Sequence, residues 1–194
     1  MTELKKELMA KGPLLIPLAL IINNTKHLNW TQGTDLSEAD VKLIRKGILS
    51  SQWYERSLME RMALAVFKLV GKELPESAFQ FGYGVMCETL LKIYRSPLTS
   101  NDPREIISKF ANFYSGTWFN TGKAEFTPEG KGGVFKIEDP DGIPCPKAFV
   151  PMMRGVFSRL VKENGGQNVK VVAVEEPLVS KQKIYTLTLN MSWE

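Results

Sequence analysis

The chain has 194 residues, 43% hydrophobic and 24% charged, proportions that support one packed domain and argue against a disordered or fibrous chain. Twenty-five basic against twenty-one acidic residues leave a net charge of only +4. The lysines near the N-terminus (Lys5, Lys6, Lys11) do not form the stripe that phosphate contacts need, so no nucleic-acid partner is expected.

Residues 3–11 are charged and compatible with a helix. The run Pro13-Leu14-Leu15-Ile16-Pro17-Leu18-Ala19-Leu20-Ile21-Ile22 is the most apolar stretch. It falls well short of the roughly 20 residues a membrane span requires and carries two prolines, so no span is expected. A short helix or extended arm there must be covered by the domain body or by another subunit. Asn23-Asn24-Thr25-Lys26 offers no small-residue cleavage site, and Cys87 and Cys145 are too isolated for a disulfide framework. Both features point to a reducing, cytoplasmic setting. A loop follows over Asn29-Trp30-Thr31-Gln32-Gly33-Thr34. Asp35 or Ser37 can then cap a helix whose first turn holds Glu38 and Asp40.

From Trp53 to Val70, residues Met59, Met62, Ala63, Val66, Leu69 and Val70 recur at helical steps, with Glu55, Arg56, Glu60 and Arg61 on the other side. Gly71 ends this helix. Pro75 opens the next, predicted from about Glu76 to Tyr94 and ending before Ser96-Pro97. Asn101-Asp102-Pro103 starts a third, turning Ile106, Ile107, Phe110, Phe113 and Tyr114 inward. After Ser115-Gly116 the period changes. Trp118 to Phe126 and Val134 to Ile137 are predicted strands, joined by the turn-rich Thr127–Gly133. Asp139-Pro140-Asp141-Gly142 closes the second strand, and Pro146 leads into a helix with Phe149, Met152, Met153, Val156, Phe157, Leu160 and Val161 on one face. Asn164-Gly165-Gly166 stops it. Residues 169–174 and 185–193 alternate as two final strands. Helices first, then β-β-α-β-β, indicate an α+β fold: an N-terminal helical part followed by an antiparallel sheet with a packed helix.

The residue types of common active sites are sparse. His27 is the only histidine, set among polar neighbours in a stretch expected to be solvated, so a histidine-activated nucleophile has no evident base. The two cysteines lack nearby histidines for zinc. Asp139-Pro140-Asp141-Gly142 begins like a calcium loop without the closing glutamate, and a tight turn accounts for it. Phe81-Gly82-Tyr83-Gly84 lies inside a helical pattern, unlike a dinucleotide loop, which follows a strand. Helical glycines imply close approach of a neighbouring helix, or less readily a ligand wall. Glu175-Glu176 would point to opposite faces of a strand, and Glu88 is ordinary helix surface. No catalytic residues and no metal ligands are therefore assigned.

The positive feature is a set of aromatic and methionine side chains on segments expected to converge. They would build an ordinary core, or line a pocket for an apolar ligand. Candidate ligand-binding residues are Phe81, Tyr83, Cys87, Tyr114, Trp118, Met153 and Phe157.

Several segments carry a resemblance. Ser50-Ser51-Gln52-Trp53-Tyr54 opening a helix, the Gly82 region, the passage from Tyr114 to Trp118 into the sheet and the terminal Ser192-Trp193 resemble bacterial heme-NO-binding-like and 4-vinyl-reductase-like domains. These are similar to a wider fold group that includes H-NOX gas sensors and TRAPP trafficking subunits. The likeness covers roughly residues 48–194 and rests on pattern and element order. It implies a division into an N-terminal arm and helix (1–47) and one ligand-binding-like domain (48–194), with a helical part (48–115) and a sheet part (116–194). It also implies pocket binding of a ligand or partner. H-NOX domains use an axial histidine and a Tyr-x-Ser-x-Arg clamp. Here Tyr94-Arg95-Ser96-Pro97-Leu98 has Leu98 where the arginine belongs, and no histidine follows His27. No cofactor is therefore expected, and heme is disfavoured. The resulting expectation is a non-enzymatic sensory or small-molecule-binding domain for an apolar ligand. The alternative is a homodimeric assembly module that docks a protein partner through residues 13–22.

Overall fold

The computed structural model describes residues 7–174 and 185–194. The elements run β1(Met9–Lys11), α1(Gly12–Asn24), α2(Glu38–Lys46), β2(Trp53–Glu55), α3(Arg56–Leu69), α4(Pro75–Phe81), α5(Cys87–Ile93), α6(Pro103–Tyr114), β3(Lys123–Pro128), β4(Gly132–Asp139), α7(Pro146–Glu163), β5(Lys170–Val174) and β6(Tyr185–Ser192). The α+β reading holds: helices precede an antiparallel sheet of order β3-β4-β6-β5, with α7 inserted between its hairpins.

One face of the sheet carries Phe135, Ile137, Leu187, Leu189, Met191 and Val171, all buried. Helices α6 and α7 cover it. Phe157 of α7 wedges between Phe110 of α6 and Phe135 of β4, with ring centroids 4.8 and 4.6 Å away. The opposite face is charged and paired: Lys123 and Lys136 both reach Glu138, at 2.9 and 2.7 Å. Strand alternation alone produces this division.

Residues 9–11 are extended instead of helical, because β1 pairs with β2 and its Lys11 amide donates to the Trp118 carbonyl at 2.8 Å. Trp53–Glu55, placed at the start of a helix by the sequence pattern, is the partner strand. The apolar run 13–22 forms most of α1, and its cover is the domain body. Leu15, Leu18 and Ile22 are almost fully buried among α3 and α5 residues, each burial contributing about 1.5–3 kcal/mol. A docking arm would need that apolar face free, and Leu20 alone on α1 is a large exposed hydrophobic. The loop residue Trp30 is likewise buried. Ser37 caps α2 in a reciprocal box with Asp40, which Arg61 then grips at 3.0 and 2.8 Å.

Residues 118–122, expected as strand, form a loop. Gly116 and Gly122 adopt left-handed φ of 78° and 75°, and the amides of Trp118 and Phe119 turn back to the carbonyls of Phe113 and Tyr114 at 2.9 and 3.1 Å. The strand starts only at Lys123. The predicted helix 76–94 is a single rod interrupted by a π-helical turn, Gly82–Met86, between α4 and α5. At this turn the rod crosses α7 at very close range. A Cβ on Gly82 would overlap the backbone carbonyl of Met152, and one on Gly155 would overlap the Phe79 carbonyl. Close helix packing is therefore what the glycines serve. Arg159 of α7 donates to the Tyr83 and Gly84 carbonyls at 3.2 and 3.4 Å, tying the widened turn to α7.

Candidate functional site

Leu14, Leu18 and Ile21 of α1 face Met59, Ala63 and Val66 of α3 across a cavity of about 470 Å³, within the range of small-molecule sites. The third wall is the rod at its π turn, which supplies Phe81, Val85 and Met86. The fourth is the start of α7, with Cys145, Phe149 and Met152. Polar side chains are confined to the first turns of α4, where Glu76, Ser77 and Gln80 sit and Gln80 donates to Glu76 at 2.7 Å. No lysine or arginine is among the lining residues, so carboxylates on a ligand would be hydrated at the mouth and not paired.

The α7 wall is held from below by a buried ion pair. Arg56 donates to Asp139 at 3.0 Å, to Glu60 at 2.9 Å and to the Gly142 carbonyl. Arg56 and Asp139 are 2% and 0% exposed. This corrects the placement of Arg56 on the polar side of its helix. The sequence held a signal for it: Asp139 continues the inward series Phe135, Ile137, and a carboxylate at an inward position needs a cation. The connection that Arg56 pins leads directly to Cys145, whose φ of 30° is left-handed. Burial pushes the Cys145 thiol up to about 12, the Glu60 carboxylate adding to it and Arg56 opposing. It is a thiol at neutral pH.

A second, much smaller cavity of about 20 Å³ lies deeper. Tyr114, Trp118 and Met153 line it together with Leu14, Met86 and Phe149, which also line the larger pocket. The Tyr114 hydroxyl and the Trp118 Nε1 are buried without a hydrogen-bond partner.

The seven candidate residues are thus dispersed. Phe81 lines the large pocket, and Tyr114, Trp118 and Met153 line the small one. Tyr83 stacks beside Phe79 in a separate groove, under the Arg159 guanidinium. Cys87 and Phe157 are fully buried and line neither cavity. The α1 and α3 walls were missed, although α1 is apolar all round, the mark of a helix with neighbours on several sides. His27 lies in the exposed turn after α1. Tyr94–Leu98 forms a turn after α5 away from the large pocket. Glu175-Glu176 falls outside the described residues. Among the described residues no cluster of three or more His, Cys, Asp and Glu could hold a metal ion, and no helix is long and apolar enough to cross a membrane.

No family model and no curated protein matches the chain. Solved structures do. An oxygen-binding H-NOX domain related to soluble guanylate cyclases superposes with a TM-score of 0.63 at 12% identity, covering 95% of each chain. A structure from work on heme distortion in the H-NOX family gives 0.64 at 12%, again over 95% of each. A variant H-NOX domain from T. tengcongensis gives 0.60 at 13%, over 95% of this chain and 97% of the other. The fold is H-NOX-like. At such identities the likeness establishes the fold alone, and it extends over the N-terminal segment that the sequence resemblance left out.

The expectation that no cofactor is bound and that heme is disfavoured does not stand. The structures that share this fold include ones solved to study heme distortion and heme redox potential. The pocket is lined mainly by apolar side chains, and the groups on it that could approach a metal are the thioethers of Met59, Met86 and Met152, the Cys145 thiol and the Glu76 carboxylate. Of these, the thioether is a known haem ligand in the form it has at neutral pH.

Proposed function

We propose that this chain is a non-catalytic, sensor-type domain that binds a largely apolar small molecule in the pocket between α1, α3, the π turn and α7. The observation that carries the reading is the pocket: about 470 Å³ in volume, apolar on every wall, with polar groups only where α4 begins. Burial of an apolar ligand there releases roughly 25 cal/mol per Å² of surface removed from water, and nothing on the walls is arranged to transfer a proton or attack a substrate. A heme, when bound, would supply a metal centre able to take a diatomic gas, with a wall methionine, Met59, Met86 or Met152, as the chain's ligand to it.

The chain's own residues suit a sensor. Phe149 and Met152 touch the ligand space, and two turns further along the same helix Phe157 sits on the sheet. An occupant that displaces α7 therefore acts on the sheet through one rigid element. A ligand shifts such an equilibrium only by its difference in affinity for the two arrangements.

Native mass spectrometry of the purified protein, followed by titration with hemin and with the neutral probe N-phenyl-1-naphthylamine, tests this. A co-purifying apolar compound, or one-to-one uptake of hemin or probe, is expected. Protein that emerges free and takes up neither overturns the proposal.

A further inference from the structure

From Val41 to Tyr54 the chain carries three cations, Lys42, Arg45 and Lys46, and no carboxylate. All three are exposed, and among the described residues none of them forms an ion pair. Val41 and Ile44 turn into the core, so Lys42, Leu43, Arg45 and Lys46 share the outward arc of α2. The same stretch exposes three large apolar side chains: Leu43 at 39%, Leu49 at 54% and Trp53 at 37%. Single apolar residues on a surface need no explanation, but three so close in sequence, interleaved with unpaired cations, do. The loop after α2 is held firmly. The Leu49 amide donates to the Tyr54 hydroxyl at 2.8 Å, the Gln52 amide to the Leu49 carbonyl at 3.2 Å, and the Gly12 amide to the Gln52 carbonyl at 3.0 Å. A fourth cation, Lys11 of β1, sits opposite Trp53 in the β1–β2 pairing, its Nζ 4.7 Å from the indole centroid. The flanking carboxylates are Glu38, one turn back on α2, and Glu55, which accepts from the Ser57 hydroxyl.

We infer that the outward arc of α2 and the loop to Trp53 dock on a membrane surface that carries anionic lipid. Leu49 and Trp53 enter the interface, and Lys42, Arg45, Lys46 and Lys11 meet the headgroups. Charge complementarity carries the choice of partner: unpaired cations beside exposed apolar groups match anionic headgroups above acyl chains. An indole settles at headgroup level, where one end is apolar and the other wet. The long basic stems lie along apolar surface while their charged ends stay in water. Contact is peripheral and nothing crosses the bilayer. None of these residues lines the large pocket, so the surface and the ligand site stand or fall separately.

Trp53 reports on this surface directly, because Trp30, Trp118 and Trp193 are buried. The full chain is mixed at low salt with phosphatidylcholine vesicles, with or without phosphatidylglycerol, and sedimentation and tryptophan emission are followed. Sedimentation with the anionic vesicles alone is expected, weakening as salt rises. Emission should shift to the blue and be quenched by brominated acyl chains. Replacing Lys42, Arg45 and Lys46 together by Gln should weaken binding on the order of a hundredfold, at about fivefold per charge. Trp53→Ser should weaken it and abolish the quenching, with circular dichroism unchanged; Leu49→Ser replaces it if that variant fails to fold, and should weaken binding likewise. No sedimentation with anionic vesicles, binding undiminished by the triple substitution, or emission indifferent to brominated chains overturns the inference. If vesicles are ignored while poly-glutamate shields Trp53 from acrylamide, the surface serves an acidic protein and the lipid assignment falls.

Discussion

The crossing of the π-turn rod with α7 yields a paired prediction in which one residue type has opposite effects two positions apart. A Cβ on Gly82 would overlap the Met152 carbonyl oxygen and lie 2.8 Å from its carbon, whereas one on Gly84 has nothing within 4 Å. Both substitutions to alanine recover the helix-propensity penalty of glycine, about 1 kcal/mol. Only Gly82→Ala adds an overlap, and it is with backbone, which no rotamer change relieves. Helix α7 must move away from the rod, at an overpacking cost of about 1–3 kcal/mol. Gly84→Ala should therefore stabilise by up to about 1 kcal/mol, with Gly82→Ala less stable than it by about 1–3 kcal/mol. For a domain of this length that is about 2–4 °C of midpoint per kcal/mol. Urea and thermal unfolding followed by circular dichroism measure both. Because Met152 and Phe81 belong to the pocket, Gly82→Ala should also change probe affinity while Gly84→Ala leaves it alone. Equal effects of the two alanines on stability would refute the close crossing.

Further outcomes follow from the buried charges and thiols. Asp139→Leu removes the buried one of the two carboxylates that the Arg56 guanidinium meets, leaving Glu60, and should cost about 1–3 kcal/mol, whereas Arg56→Met combined with Asp139→Leu should recover most of it; a urea double-mutant cycle showing simple additivity would contradict the pairing. Burial holds the Cys87 and Cys145 thiols up to about 12 against an ordinary 9.0, so neither should react with iodoacetamide at pH 7.5 in the folded protein, as mass spectrometry of alkylated samples reads. Because the folded thiols are raised, their contribution is fully present below about pH 9 and is lost as pH climbs towards 12, where the unfolded chain gives up protons that the fold retains. Wild-type stability should thus fall more steeply over that window than in Cys87→Ala/Cys145→Ala, and parallel curves would count against burial of the thiols.

The sequence made the sheet half legible, because strand alternation and the seven-residue apolar face of α7 each report burial directly. Phe157, Leu160 and Leu189 lie where their periodicities put them. Loops and short pairings were less legible. The strand predicted from Trp118 begins at Lys123 because two left-handed glycines intervene, and β1 and β2 exist only through pairing between segments some forty residues apart. The pocket was half visible. Aromatic and methionine content announced an apolar centre, but which residues wall a space and which fill it depends on the crossing at Gly82 and Gly155, set by backbone contacts between distant helices. Arg56 shows the same limit: its own helix pattern places it outside, and only Asp139, more than eighty positions later, brings it in.

Equilibrium binding of N-phenyl-1-naphthylamine to the wild-type protein and to Ala63→Phe, followed by fluorescence, bears most directly on the pocket. Ala63 lines it from α3 and is only partly buried, so phenylalanine there projects into the ligand space. Saturable one-to-one binding by the wild type, weakened at least tenfold in an Ala63→Phe protein with unchanged circular dichroism, is the expected result. Absence of saturable binding to the wild type, or equal binding to both proteins, would contradict a ligand site between α1, α3, the π turn and α7.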